Sequence, residues 1–243
     1  MRYPPTDRRP VLTRAEAKDV YNGFARTGHK TAGRDAAGGY GGPAVQALLA
    51  MAALGDARTV LDYGCGQAKL AELALETHSQ LTWYGADMSD EMVELAKKRM
   101  ERFGPRFQIE HIPSGEPSEL AGSWSCADRF ISTYCLDLLS EDDMDDVLDL
   151  ARRSLHPTGL LLLSGITWGY RDSMRTCFMT GIWELLYMFR RRVVGGCRPQ
   201  ALEPYLQARG WAVVERARTL PQGFPWMVSE VIAARPPPPK SAA

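Results

Sequence analysis

Two carboxylates and a glycine turn are the residues of this chain best suited to chemistry. In VLDYGCGQAKLA, residues 60–71, an apolar run ends in Asp62, a turn follows with Gly64 and Gly66, and helix formers begin. Glycines let a backbone turn sharply and let a ligand approach the main chain. A strand-to-helix turn also aims unsatisfied N–H groups and the helix dipole outward. Nucleotide-like ligands bind at such places, outside the carboxyl ends of sheet strands. Twenty-five residues after Asp62 comes Asp87, in WYGADMS. A carboxylate at the end of the next strand can accept both hydrogen bonds of a ribose diol.

A dinucleotide turn wants Gly-x-Gly-x-x-Gly, which leaves room for a pyrophosphate. Here Gly66 is followed by Gln67, Ala68 and Lys69, so the third glycine is absent at that spacing. The acid two positions before the first glycine would repel a pyrophosphate and suits a ligand carrying an ammonium and a sulfonium. These residues resemble motif I of the class I S-adenosylmethionine (SAM)-dependent methyltransferases, Asp/Glu-x-Gly-x-Gly-x-Gly. Ala68 stands where the last glycine would be. Alanine still leaves space there, provided the local backbone needs no positive φ.

The elements that must position these groups alternate. Strands are expected at about 59–62, 81–86, 107–112 and 128–133, with a buried one in LLLLSGI after His156–Gly159. Helices are expected at 68–77, 90–103 with Ser89 as N-cap, and from Ser140 to 155, where Asp143 sits at the third position of a capping box. Thr13 and Glu16 form the same signature for a helix to about residue 25. Residues 28–42 hold six glycines and so suit a segment that moves or wraps a ligand. Pro43 fits the first turn of another helix. After Ile166 comes an insertion of roughly 30 residues, rich in Trp, Met, Phe and Tyr. A helix at 199–209 and strands at about 211–218 and 229–234 close the chain.

Strands alternating with helices at this spacing indicate an α/β fold, a parallel sheet with helices on both faces. The resemblance covers about 45–235. It implies a Rossmann-like seven-stranded, mostly parallel sheet with an antiparallel C-terminal hairpin, an N-terminal helical lid and a helical insertion after the fifth strand. The expected organisation is a tail and lid at 1–42, a methyltransferase domain at 43–235 whose insertion, about 167–198, caps the substrate, and a Pro-rich tail at 236–243. The chain looks most like bacterial-type small-molecule methyltransferases.

By that resemblance Asp62, Gly64, Cys65 and Gly66 form the methionine end of a SAM site. Asp87 holds the ribose and Met88 lies against adenine. The blander reading of Asp87 is a helix N-cap, for which Ser89 is better placed. Ile112 or Pro113 could cover the base, and Ser114 or Glu116 could accept from its amino group. Thr133 and Tyr134 fall near the sulfonium. Tyr134 or Asp137 could orient the substrate or act as general base; otherwise Asp137 is a turn residue and Tyr134 a core aromatic. Tyr21 and Tyr40 belong to the segment that closes over SAM and could contact cofactor or substrate, or only pack the lid. His29 and Lys30 could line the mouth. Trp168, Tyr170 and Arg171 would face the acceptor pocket. Arg198 could grip a carboxylate or phosphate of the substrate, or make a helix-end salt bridge.

The 29 basic and 29 acidic residues balance to zero, which disfavours nucleic acid as the main substrate. Five scattered cysteines without CxxC spacing argue against structural zinc and a disulfide framework, and unpaired thiols fit a reducing, cytoplasmic compartment. No Asp/Glu/His set suggests a metal. The N-terminus lacks the apolar core of a signal peptide, and no run of about 18 apolar residues suits a membrane span. Arg190, Arg191 and Arg192 read first as a solvated face; with the apolar insertion they could also touch an anionic membrane surface. The favoured function is SAM-dependent methyl transfer to N, O or S of a small molecule, by a monomer or homodimer. The alternatives are a non-catalytic subunit binding SAM or S-adenosylhomocysteine, and a peripheral membrane enzyme acting on lipid head groups.

Overall fold

The structure is a computed structural model and describes residues 9, 11–27, 42–120, 124–170, 173–220 and 227–237. Seven strands form one sheet: β1 Thr59–Tyr63, β2 Thr82–Asp87, β3 Phe107–His111, β4 Ala127–Thr133, β5 Leu155–Ile166, β6 Ala212–Thr219 and β7 Ser229–Arg235. Their order is β3-β2-β1-β4-β5-β7-β6. β1 to β5 pair in parallel, and β7 pairs antiparallel with both β5 and β6. The order reverses between β1 and β4, so a crevice opens at the carboxyl ends of those strands, where open α/β sheets bind their ligands.

Several of the helices begin at a side chain that caps them. They are α1 Arg14–Thr27, α2 Pro43–Ala52, α3 Lys69–Thr77, α4 Asp90–Met100, α5 Glu141–Ser154, α6 Met174–Arg190 and α7 Leu202–Ala208. Ahead of α1, the Thr13 N–H donates to Glu16 at 3.0 Å and the Glu16 N–H donates to the Thr13 hydroxyl at 3.2 Å, a reciprocal box. Ser89 and Ser140 cap α4 and α5 through the N–H groups of Met92 and Asp143.

Helices cover both sheet faces. Trp83, Val60 and Ile131 of one face pack with α2, α3 and the Trp183–Tyr187 side of α6. Leu61, Tyr63, Phe130 and Leu161 of the other pack with α5 and α7. Full burial of such side chains is worth about 1.5–3 kcal/mol each, so β1 and β2 end on a rigid base.

Candidate active site

The turn after β1 is built on its own hydrogen bonds. The N–H groups of Gly64 and Cys65 both donate to the Ala86 carbonyl, at 2.9 and 3.0 Å, which ties the turn to β2. Gly64 takes φ +73°, and a Cβ there would lie 2.7 Å from the Cys135 sulfur. Gly66 follows at φ +55°. The Cys65 side chain packs over Gly85 of β2, where a Cβ would meet its sulfur at 2.7 Å, so only a glycine allows that contact.

Ala68 departs from the proviso attached to it. It is fully buried and left-handed, at φ +56° and ψ +28°, immediately before α3. Left-handed backbone costs an L-residue roughly 1–2 kcal/mol. The position that carries glycine in the motif therefore does need a positive φ here, and packing holds alanine in it.

Asp87 ends β2 with both oxygens engaged by main chain. Oδ2 accepts from the Gly66 N–H at 2.8 Å and Oδ1 from the Ser89 N–H at 2.9 Å. Each carboxylate oxygen has a second lone-pair site. The carboxylate lines a cavity together with Gly64, Met88, Ile112, Gly115 and Cys135. Its further wall comes from Leu12, Arg14, Ala17 and Tyr21 of the N-terminal segment and from Tyr134, Leu138, Leu139 and Asp143. Tyr63 closes the floor, its hydroxyl donating to the Gly115 carbonyl at 2.9 Å, and burial pushes its phenol pKa well up.

Helix α1 roofs this cavity and is clamped from several sides. Arg14 pairs with Asp143 of α5 and, at 2.9 Å, with Glu116. Lys18 pairs with Asp90 at 2.9 Å and Asn22 accepts from the Ser89 hydroxyl at 2.6 Å, both at the start of α4. Arg192 reaches Glu16 at 3.3 Å. Burial raises the Asp143 carboxyl, but the Ser140 hydroxyl and the Arg14 guanidinium outweigh it and hold it below the ordinary range. Lys18 does the same for Asp90, and bonds from Thr13 and Arg192 for Glu16.

Of the residues singled out from the sequence, Gly64, Asp87, Met88, Ile112, Tyr21 and Tyr134 line the cavity. Tyr134 sits at φ +50°, an outlier for a bulky residue, with its hydroxyl 2.9 Å from that of Ser229. The others lie elsewhere. Asp62 is buried in β1, where its carboxylate accepts from the Trp83 indole at 3.2 Å. Thr133 is buried at the end of β4. Ser114 is exposed and donates to Glu119 at 2.5 Å. Asp137 is buried, its carboxylate accepting the Ile166 N–H at 3.4 Å. Arg198 is fully buried and donates to the carbonyls of Asp137, at 3.2 Å, and Leu139, so it braces the loop after β4. Trp168 stacks under Arg9, 5.5 Å from its ring centre. Tyr40, His29, Lys30 and Arg171 lie outside the described residues.

Sequence reasoning missed Arg14, Tyr63, Cys135 and Asp143. Cys135 had a signal in its place directly after the β4 residues assigned to the sulfonium. Among the described residues no group of three or more His, Cys, Asp or Glu is placed to hold a metal. No cysteine forms a disulfide.

Residues 60–159 match the family model described as a methyltransferase domain. The sheet order above is the one that the resemblance to class I SAM-dependent methyltransferases implies. Similar solved structures include the mitomycin 7-O-methyltransferase MmcR, at 21% identity and TM-score 0.59, covering 79% of this chain and 53% of that one. An O-methyltransferase family protein from Burkholderia thailandensis matches at 19% identity and TM-score 0.61, covering 91% and 60%. The cyclopropane synthase MmaA2 from Mycobacterium tuberculosis matches at 14% identity and TM-score 0.65, covering 93% and 99%. The chain thus spans little more than half the length of the first two.

Proposed function

We propose that this chain transfers a methyl group from S-adenosylmethionine to N, O or S of a small-molecule acceptor. The observation that carries the reading is the Asp87 carboxylate, fixed by two main-chain N–H groups and opening on the cavity beside Gly64. The residues present fit the nucleoside. Asp87 would hold the ribose diol, Met88 and Ile112 supply apolar cover for the base, and Gly64 lets the main chain come close. Asp62 would lie at the methionine end beneath the turn, with its Oδ2 accepting from the Trp83 indole.

Bound there, the cofactor supplies a methyl group already activated by its sulfonium. What remains for the protein is proximity and exclusion of water. Tyr21, Leu12, Leu138 and Leu139 give most of the remaining wall an apolar lining beside the paired Arg14 and Asp143, which suits an acceptor with an apolar body. Tyr134 fixes the cavity wall: its hydroxyl is tied to Ser229 and its N–H donates to the Ser164 carbonyl at 2.7 Å. Asp137 and Arg198 act one layer behind, holding the loop that presents Tyr134 and Cys135. The described part of the insertion turns the side chains of Trp183 and Tyr187 into the core, and α1 is the roof of the described cavity.

The experiment is a screen of thiols, amines, phenols and acids with methyl-labelled SAM. Label in one product class, lost in Asp87→Ala, supports the reading. Absence of both transfer and S-adenosylhomocysteine binding overturns it.

A further inference from the structure

Helix α6 buries the wrong face for an ordinary surface helix. Thr176, Thr180, Trp183 and Tyr187 point into the protein. On the opposite side Met174, Phe178, Ile182, Leu185 and Phe189 follow one another at three- and four-residue spacing, Leu186 lies beside Leu185, and all are exposed. Phe178 is 69% and Phe189 77% exposed. Met188 and Val193 extend the patch at 57% each. Most of the exposed large hydrophobic residues among those described thus lie on this one element. A soluble monomer rarely leaves an apolar patch of more than a few hundred Å².

Charge says what covers it. The exposed charges on and just after α6 are Arg175, Arg190 and Arg192, all cationic. The helix carries one acid, Glu184, and that is paired with Arg9 on the inner side. A second copy of this chain, packed about a two-fold axis, would bring the same arginines toward one another. The occupant must offer apolar depth and negative charge together. An arginine-flanked helix with Phe, Leu, Ile and Met on its outer face has the composition of one that lies in a membrane interface. No helix among the described residues is long and apolar enough to cross a membrane, so the contact is peripheral.

We propose that the outer face of α6 docks on an anionic phospholipid bilayer, with Phe178 and Phe189 inserted among the acyl chains and Arg175 and Arg190 on the head groups. The segment after α6 adjoins the cavity roof: a Cβ at Gly196 would lie 2.9 Å from Leu12, and Arg192 pairs with Glu16 of α1. Docking therefore brings the bilayer next to the elements that cover the apolar cavity.

The test is flotation of the full chain with vesicles of phosphatidylcholine alone and of phosphatidylcholine with 30 mol% phosphatidylglycerol, at low and high salt. We expect partitioning at least tenfold higher on the anionic vesicles and weakened by salt. F178S/F189S lowers it at least tenfold, and Arg175→Ala and Arg190→Ala each about fivefold, from roughly 1 kcal/mol per surface arginine. These side chains face solvent, so thermal melts stay at the wild-type value and separate lost docking from lost folding. Equal binding to both vesicles, or binding to neither, overturns the proposal. So does a dimer by sedimentation that F178S/F189S dissociates without any vesicle binding, and so does capture by an acidic protein surface alone. None of these readouts depends on methyl transfer.

Discussion

Replacing Asp87 separates the structural and the ligand-holding roles of one carboxylate. In the free protein it accepts two main-chain N–H groups, from Gly66 at 2.8 Å and Ser89 at 2.9 Å. Hydrogen bonds to a charged group contribute about 1.5–3 kcal/mol each. Asp87 is only half-buried, so water can partly replace the lost acceptor and the sum falls to or below that of the two weakest such bonds, about 2–3 kcal/mol. At roughly 2–4 °C per kcal/mol for a chain of this size, Asp87→Ala should lower Tm by about 4–12 °C. The ribose loses a charged bidentate acceptor as well, at least tenfold in affinity or about 1.4 kcal/mol. Asp87→Asn keeps the shape but turns one oxygen into a donor that faces an N–H, so it should resemble Ala on both counts. Thermal melts read the first effect and titration calorimetry with S-adenosylhomocysteine below Tm the second. Affinity within twofold of wild type in both variants would refute the ribose assignment.

Three further outcomes follow from the geometry. Ala68→Gly relieves left-handed strain against the entropy of glycine, a net gain of about 0.5 kcal/mol and a rise in Tm of roughly 1–2 °C, whereas Ala68→Val destabilises; a fall in Tm for the glycine variant would contradict the strain argument. Arg14→Ala removes the bridge from α1 to Asp143 and Glu116, a partly exposed pair of contacts worth about 1 kcal/mol, so S-adenosylhomocysteine should dissociate about fivefold faster in stopped-flow measurements. The carboxyls that clamp α1, Asp143, Asp90 and Glu16, all have folded pKa values below their ordinary ones. Their contribution is therefore complete above the unfolded values and lost as pH falls through the folded ones. Ligand release should be insensitive to these groups from about pH 5 to 8 and accelerate only below about pH 4.

The fold could be read from the chain because its signals are local. The βα units carry apolar runs followed by a glycine turn after β1 and by caps after β2 and β4, and Ser89, Ser140 and Thr13 cap where expected. Asp87 could be found because one strand tip fixes it. The rest of the cavity could not, since Arg14, Tyr63, Cys135 and Asp143 meet from four separate elements. Arg198 and Asp137 have the residue types of a substrate site, but tertiary packing turns them inward on each other's loop. The insertion's apolar character was plain; which side of α6 faced out depended on Trp183 and Tyr187 finding the core. Ala68 shows the same limit, because a residue name does not give its φ.

Occupancy of the cavity can be read at one sulfur. Cys135 lines it, with its sulfur 2.7 Å from where a Gly64 side chain would begin, whereas Cys126 and Cys177 are exposed on the surface. With saturating S-adenosylhomocysteine, we expect alkylation by iodoacetamide, followed residue by residue by mass spectrometry, to slow at least tenfold at Cys135 and to be unchanged at Cys126 and Cys177. Undiminished labelling of Cys135 at saturation would mean that the nucleoside does not bind at the tips of β1 and β2.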